Sequence, residues 1–408
     1  MTLRTDKLQR LSGIIIATAA ILAAACDKKG NDPEPGKTHS NVDLTGLTVD
    51  GQFPIIAWTG IDAMDTEAKF GPMKECGINV YLGWYDTQAE VMTALDNASK
   101  AGVKLIIKSD ELFSSTASTV KAMKDHPALF GYHIKDEPET SDFPTLGSIV
   151  KEISSIDKDH FCYINLYPNW AWGNIDGYMS KLTSFLTQVP VKFVSFDHYP
   201  IYEIDGQSHL RPEWYKNLED IRRVSRARSL PFWAFALALS HKLDGKLYPI
   251  PTVAELRLQM FSNLAYGAQG FQYFTYWGIY QSGPTQVYER VKTVNRELQQ
   301  LSKIFLGADV TEVWHTGNEI PYGTKELSAM PYGFSAISAS GAGIVVSQVE
   351  KDGKIYVAMV NKDYKNTQKV SLSFNTACTR IDKEGYSAAA ADGEYLIEAG
   401  DIILFRTK

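Results

Sequence analysis

Ala128-Leu129-Phe130-Gly131-Tyr132-His133-Ile134-Lys135-Asp136-Glu137-Pro138-Glu139 is the stretch on which the reading of this chain turns. Its apolar first half reads as a buried strand. Its second half sets two adjacent carboxylates, Asp136 and Glu137, at that strand's carboxyl end. Pro138 then stops the strand and fixes the local backbone. In a β/α barrel the carboxyl ends of the strands form the face that carries the active site. The same residues also fit a charged strand-to-helix loop with Glu137 or Glu139 near a helix start, so the rest of the chain has to decide.

Outward from this stretch, strand and helix alternate from Gln52 to about Gly307. Eight apolar runs read as strands: 54–58, 79–84, 104–108, 130–135, 162–166, 192–196, 232–237 and 270–276. Helical patterns between them are clearest over 89–101, 117–124, 146–156, 178–186, 214–229 and 253–268. Near-continuous apolar runs are what parallel strands covered on both faces require. Eight such units in about 250 residues fit a β/α barrel. A doubly wound sheet usually carries a Gly-rich turn after its first strand, and this sequence has none. After Leu306-Gly307 the helical period gives way to short alternating segments at 343–348, 354–360, 369–374 and 400–406, punctuated by Gly, Asn and Asp, which predict antiparallel strands. The expected fold is α/β: a (β/α)8 TIM barrel over 46–307, then a small C-terminal antiparallel β-sandwich over 308–408.

The first 25 residues do not belong to that fold. Arg4, Lys7 and Arg10 precede an apolar run that ends in Leu22-Ala23-Ala24-Ala25-Cys26, the layout of a signal peptide. Cys26 after the small residues resembles the lipobox of bacterial lipoproteins, which makes Cys26 the expected lipidation site; the usual Leu would lie one residue nearer the cysteine. A plain secretory signal or a membrane anchor is the other reading, though the run is short for a spanning helix. Residues 26–45 form the expected tether, since 27–36 contain no apolar residue able to pack a core. The expected location is the outer membrane or cell surface of a gram-negative bacterium, with the periplasmic face as the variant. The net charge is −6, and the leader's three bases against one acid leave the remainder at −8, which argues against nucleic acid as a partner. The arginine run Arg222, Arg223, Arg226 and Arg228 is expected to form a solvated helix face. Cys76, Cys162 and Cys378 are widely spaced and odd in number, which suits buried free thiols better than a disulfide or a metal site. No cofactor and no metal are implied, and the oligomeric state is left open.

The segments just past each strand make the mouth of a barrel. Here they are Trp58-Thr59-Gly60-Ile61-Asp62, Trp84-Tyr85-Asp86, Lys108-Ser109-Asp110-Glu111, Asp136-Glu137, Asn165 through Trp170, Asp197-His198-Tyr199-Pro200, Ala238-Leu239-Ser240-His241 and Thr275-Tyr276-Trp277. Acids and aromatic rings together suit a sugar, whose C–H faces pack on indole and phenol and whose hydroxyls donate to carboxylates. A carbohydrate is therefore the expected ligand. Trp58, Trp84, Asn165, Tyr167, His198, Tyr199, Tyr276 and Trp277 are the expected substrate-binding residues. Each Trp, taken singly, is equally an ordinary core residue; the argument rests on several strand ends carrying one.

At this point the chain resembles the clan A glycoside hydrolases, with family 42 a nearer relative because its barrel is also followed by smaller β domains. The resemblance covers Gln52 to about Gly307 by pattern, and its one sharp motif is three residues long. The clan places its acid/base in an Asn-Glu(-Pro) motif after strand four. Asp136-Glu137-Pro138 is similar to it with Asp for Asn, which implies the acid/base role for Glu137. His198 and Tyr199 resemble the clan's polar pair after strand six, and Trp277 its sugar-platform Trp. The departure is at strand seven, where the clan's nucleophilic Glu should end Pro231 through Ser240 and no acid stands; the next is Asp244. A two-carboxylate mechanism needs a second acid near the first. Three readings follow: Asp197 after strand six supplies it; or the substrate does, as in N-acetylhexosaminidases of families 20 and 123, whose adjacent Asp-Glu pair resembles Asp136-Glu137; or the barrel binds glycans at the surface without catalysis. Glu137, Asp136 and Asp197 are the expected catalytic residues. A Gly-x-Ser-x-Gly elbow and zinc-ligand spacing are both missing from the sequence.

Overall fold

A computed structural model describes residues 42–62, 65, 67–173, 175–243 and 245–408; the leader, Cys26 and nearly all of the tether lie outside them. The strands through the first part of the chain are β1 (Ile55–Trp58), β2 (Val80–Trp84), β3 (Lys104–Lys108), β4 (Leu129–Asp136), β5 (Phe161–Leu166), β6 (Val194–Phe196), β7 (Ile201–Ile204), β8 (Gln207–Leu210), β9 (Phe232–Leu237), β10 (His241–Leu243), β11 (Lys246–Tyr248) and β12 (Gly270–Phe274). Strands β1 to β6, β9 and β12 close into a parallel barrel, with β1 pairing to both β2 and β12. They are the eight apolar runs of the sequence, and the eighth ends two residues earlier than its pattern predicts.

Alternation along each strand sends one set of side chains outward to the helices and the other into the barrel. The inward set includes Ile56, Val80, Ile106, Phe130, Phe161, Tyr163, Trp233 and Phe235, joined by Phe193 from just before β6. Trp233 stacks on Phe193 at 3.8 Å between ring centroids. A Cβ on Gly270 would lie 2.5 Å from the Trp233 ring, so β12 needs a bare backbone there. Leu47 and Val49, from the segment before β1, join the same cluster and cap the amino-terminal ends of the strands. The outer helices bury one stripe each. Gln88–Ala101 starts in a Thr87/Glu90 capping box and stops at Gly102, whose φ of 69° is the left-handed turn that glycine allows.

Three features depart from the sequence reading. Helix Tyr288–Phe305 was not among the patterns singled out, although Val291, Val294, Leu298, Leu301 and Phe305 line its buried side. Strands β7, β8, β10 and β11 form a separate antiparallel sheet, in the order β10-β11-β7-β8, on the connections after β6 and β9. The arginine run is a solvated face only in part: Arg223 and Arg228 are exposed, and the other two are not. Arg222 donates to the carbonyls of Val310 and Thr311, and Arg226 pairs with Asp309 and the Val310 carbonyl. Two of its guanidiniums satisfy the first strand of the next layer instead of facing water.

That layer contains β13 (Asp309–His315), β14 (Phe334–Ala339), β15 (Ile344–Lys351), β16 (Lys354–Asn361), β17 (Gln368–Phe374), β18 (Thr379–Ile381), β19 (Ser387–Ala389), β20 (Gly393–Ile397) and β21 (Ile402–Arg406). A six-stranded sheet, β13-β15-β16-β21-β18-β19, faces a three-stranded one, β14-β17-β20. Trp314, Phe334, Val357, Met359, Leu372 and Phe405 fill the space between them. This is the antiparallel sandwich the alternating segments predict. Cys76, Cys162 and Cys378 are buried free thiols. Among the described residues, no helix is long and apolar enough to cross a membrane.

Candidate active site

The ladder between β4 and β5 continues one residue past β4. The Glu137 amide donates to the Asn165 carbonyl at 2.9 Å, and Glu137 then takes a φ of 47° before Pro138 turns the chain away. A residue with a Cβ in the left-handed region costs about 1 kcal/mol or more. The turn swings the Glu137 carboxyl toward the two other acids of the barrel's carboxyl end. Asp136 is held on one side and Asp197, just past β6, on the other. A single Asn165 Nδ2 donates to both, at 3.2 Å to Asp136 Oδ1 and 3.1 Å to Asp197 Oδ1.

Three half-buried carboxyls that act on one another disfavour each other's ionisation. Burial pushes Glu137 up to about 9, and the charges of Asp197, Asp136 and Glu139 push in the same direction. Asp197 rises to about 7 through burial and the Asp136 charge, while Asn165 and the Tyr199 hydroxyl favour its ionised form. Asp136 rises to about 6 through burial, opposed by Asn165, Lys108 and Lys135. The proton is therefore held most firmly by Glu137. At neutral pH the arrangement presents one protonated acid beside two carboxyls that ionise more readily. That is the division of labour a general acid and a second carboxylate require.

The other expected residues differ in where they sit. Tyr199 hydrogen-bonds Asp197, while Trp84 stands at the end of β2 and Trp277 just past the end of β12. Trp84 donates its indole N–H to His133 Nδ1 at 2.8 Å, with the Lys108 ammonium 5.5 Å over its ring. Tyr199 packs against Phe235, Phe274 and His241. Trp277 is 44% exposed, and its amide is tied to the Thr59 carbonyl past β1. Tyr167 is half-buried near Glu139, whose charge, with those of Glu137 and Asp136, adds to burial in raising its phenol. Three residues face elsewhere. Trp58 is buried inside the barrel and donates to Gln272 Oε1, so it has no face free for a sugar. His198 is buried with its Nδ1 on Asn217 Oδ1 of helix Trp214–Arg228, and burial holds it neutral. Tyr276 starts a short helix after the early end of β12, is fully buried, and donates to the Lys69 carbonyl outside the barrel. Asn165 does lie in the mouth, but both its N–H groups are used on carboxylates.

The end of β9 brings Leu237 and Ala238, both buried and apolar, to the position where a strand-seven acid would stand. Asp244 lies outside the described residues. Several residues of the site carried a signal that the sequence reading passed over: Ser195, Tyr163 and Gln272 are polar side chains inside strands that are otherwise apolar. Among the described residues no group of three or more His, Cys, Asp or Glu side chains is arranged to hold a metal ion.

No protein-family model matches the chain, and no curated protein matches it in sequence. Solved structures do. One is described as a "putative alpha-galactosidase" from Bacteroides fragilis, 12% identical, with a TM-score of 0.51 over 88% of this chain and 80% of that one. Another is a Paenibacillus cycloisomaltooligosaccharide glucanotransferase complexed with cycloisomaltoheptaose, 9% identical, with a TM-score of 0.50 over 89% of this chain and 84% of that one. A third is the Thermotoga maritima alpha-L-arabinofuranosidase in complex with arabinose, 9% identical, with a TM-score of 0.48 over 90% and 98%. At these identities the likeness is one of fold alone.

Proposed function

We propose that the protein is a glycoside hydrolase in which Glu137 protonates the leaving oxygen and Asp197 acts opposite it as nucleophile or base. The observation that carries this reading is the placing of Glu137 on a left-handed backbone turn past β4, where burial and the charges of Asp197 and Asp136 raise its carboxyl. Carbohydrate activity in enzymes that share the fold supports it as a class. In the proposed reaction Glu137 gives its proton to the glycosidic oxygen as the bond to the anomeric carbon breaks. Asp197, ionised with the help of Asn165 and Tyr199, attacks that carbon or activates a water. Asp136 stays ionised beside Lys108 and steadies the positive charge that develops on the sugar ring. Trp84, Tyr199 and Trp277 bound the space for the ring.

Glu137→Gln tests the acid. Turnover of a glycan with a poor leaving group should fall roughly 10²- to 10⁴-fold. An activated aryl glycoside, which needs little protonation, should lose much less. Wild-type turnover of the glycan by this variant would sink the assignment.

A substrate-assisted N-acetylhexosaminidase is the second reading, favoured by the apolar end of β9 and by the adjacency of Asp136 and Glu137. It requires a 2-acetamido sugar, strong inhibition by a thiazoline, and loss of turnover in Asp136→Asn. Cleavage of ordinary aryl hexosides with indifference to thiazoline decides for Asp197. Binding of glycans with no hydrolysis of any would leave a surface glycan-binding barrel. Lipidation at Cys26 and an outer-membrane or cell-surface location complete the proposal. Cys26→Ser should move the protein out of the membrane fraction with its melting temperature unchanged.

A further inference from the structure

A chain of buried polar groups runs through the barrel interior to the two aspartates. Trp58 Nε1 donates to Gln272 Oε1 at 3.3 Å. Gln272 Nε2 donates to Ser195 Oγ at 2.9 Å, Ser195 Oγ donates to Asn165 Oδ1 at 2.9 Å, and Asn165 Nδ2 reaches Asp136 and Asp197. Trp58, Gln272, Ser195 and Asn165 are each at most 2% exposed. Tyr163 braces the middle, its hydroxyl 2.6 Å from Gln272 Oε1 and 2.8 Å from Ser195 Oγ.

The direction of the first two bonds follows from one residue. An indole N–H can only donate. It therefore fixes which end of the Gln272 amide is oxygen, and the Gln272 nitrogen must point at Ser195. Ser195 receives that bond and donates its own proton to Asn165 Oδ1, with the Asn165 oxygen on the barrel side and its N–H groups on the carboxylates. A reversed Asn165 amide would set its oxygen against two acids.

We propose that Trp58, Gln272 and Ser195 are positioning residues that lock the Asn165 amide in the one orientation able to hold Asp136 and Asp197 together. This rests on the proposed hydrolase reading for its catalytic consequence, but not for its test. The groups that face the aspartate pair are Glu137 after β4, Lys108 at the end of β3, Lys135 on β4, Tyr163 on β5, Tyr167 after β5, Tyr178 on the helix that follows and Tyr199 after β6. None of the three proposed positioning residues carries a charge, so replacing them alters only the donor that the pair shares.

Ser195→Ala is the direct test, read by 13C-NMR titration of aspartate carboxyls in the labelled protein, with Asp136→Asn and Asp197→Asn supplying the assignments. Loss of a hydrogen bond to the ionised form should raise the titration of both aspartates by about one pH unit. Ser195→Thr, which keeps the hydroxyl, should restore it. Trp58→Phe, which keeps an aromatic ring in the core and removes only the N–H, should give a smaller rise in the same direction. If the protein hydrolyses a glycoside, the acid limb of its kcat/KM profile should move up with the titrations while KM stays near wild type. A merely structural role would lower the melting temperature and leave titrations and limb in place, and that result overturns the proposal. If the wild type cleaves no glycoside, the functional reading fails and the titration still decides the network.

Discussion

The two ends of the barrel are made by the same eight strands and are built on opposite terms. At the amino-terminal end, Leu47, Val49, Phe161, Phe193 and Trp233 bury apolar surface against one another. At the carboxyl end, Asp136, Glu137 and Asp197 crowd into partial burial, and the charges that act most on Glu137 are all negative. The first arrangement is what the hydrophobic effect favours by itself. The second works against folding twice, through a strained turn and through ionisable groups withdrawn from water. The proposed chemistry would give that cost a use.

That contrast can be broken at either end, and the largest stability effect belongs to the packed one. Trp233→Ala removes a fully buried indole from the middle of the plug and should destabilise the protein by about 3–5 kcal/mol. Where the variant is still folded, its kcat/KM should match wild type, because Trp233 touches no carboxyl of the mouth. A large loss of activity with little loss of stability would reverse the assignment of the two ends.

At the charged end the sign should invert. The folded value of Glu137, about 9, lies above its unfolded value of 4.5. Its protonated form therefore favours the fold, a contribution complete below about pH 4.5 and lost as pH rises toward 9. Asp197 and Asp136 are raised too and act in the same direction. Glu137→Gln cannot ionise. It should melt above wild type at pH 8 by about 1–2 kcal/mol, well short of the full shift because the group is only partly screened from solvent. At pH 4 the two should melt together. Equal melting at both values would remove the claim that the mouth opposes folding.

Trp277→Ala should have the smallest effect on the fold. The side chain is 44% exposed, and the tie to Thr59 runs through its backbone. Stability should change by no more than about 0.5 kcal/mol. A rise in KM for an oligosaccharide, with kcat held, would mark the indole as a sugar platform. No change in either would leave it as an exposed ring outside the site.

The barrel was legible because each strand is a run of apolar residues at the length such a strand needs, and because Asp136-Glu137-Pro138 sits where one of them stops. What escaped was set by register and by pairing at a distance. Tyr276 was assigned to the mouth on a strand read two residues too long, and the earlier end of β12 turns it outward. Trp58 and His198 sit at or just past strand ends, but depth in the barrel and the direction of one backbone bend put both rings among buried partners. Strands β7, β8, β10 and β11 are three or four residues each and gain their order only from one another, too little for a period to show. Gln272 and Ser195 were visible as polar residues in apolar strands. What they bond to depends on four different strands meeting, which spacing along the chain does not reveal.

The central claim is that Glu137 carries a proton at neutral pH in the mouth of the barrel. The infrared difference spectrum between wild type and Glu137→Gln at pH 7 tests it without a substrate. Wild type should show a protonated-carboxyl band that the variant lacks and that fades only as pH rises toward 9. A wild-type spectrum at pH 7 in which Glu137 contributes only an ionised carboxylate band would contradict it.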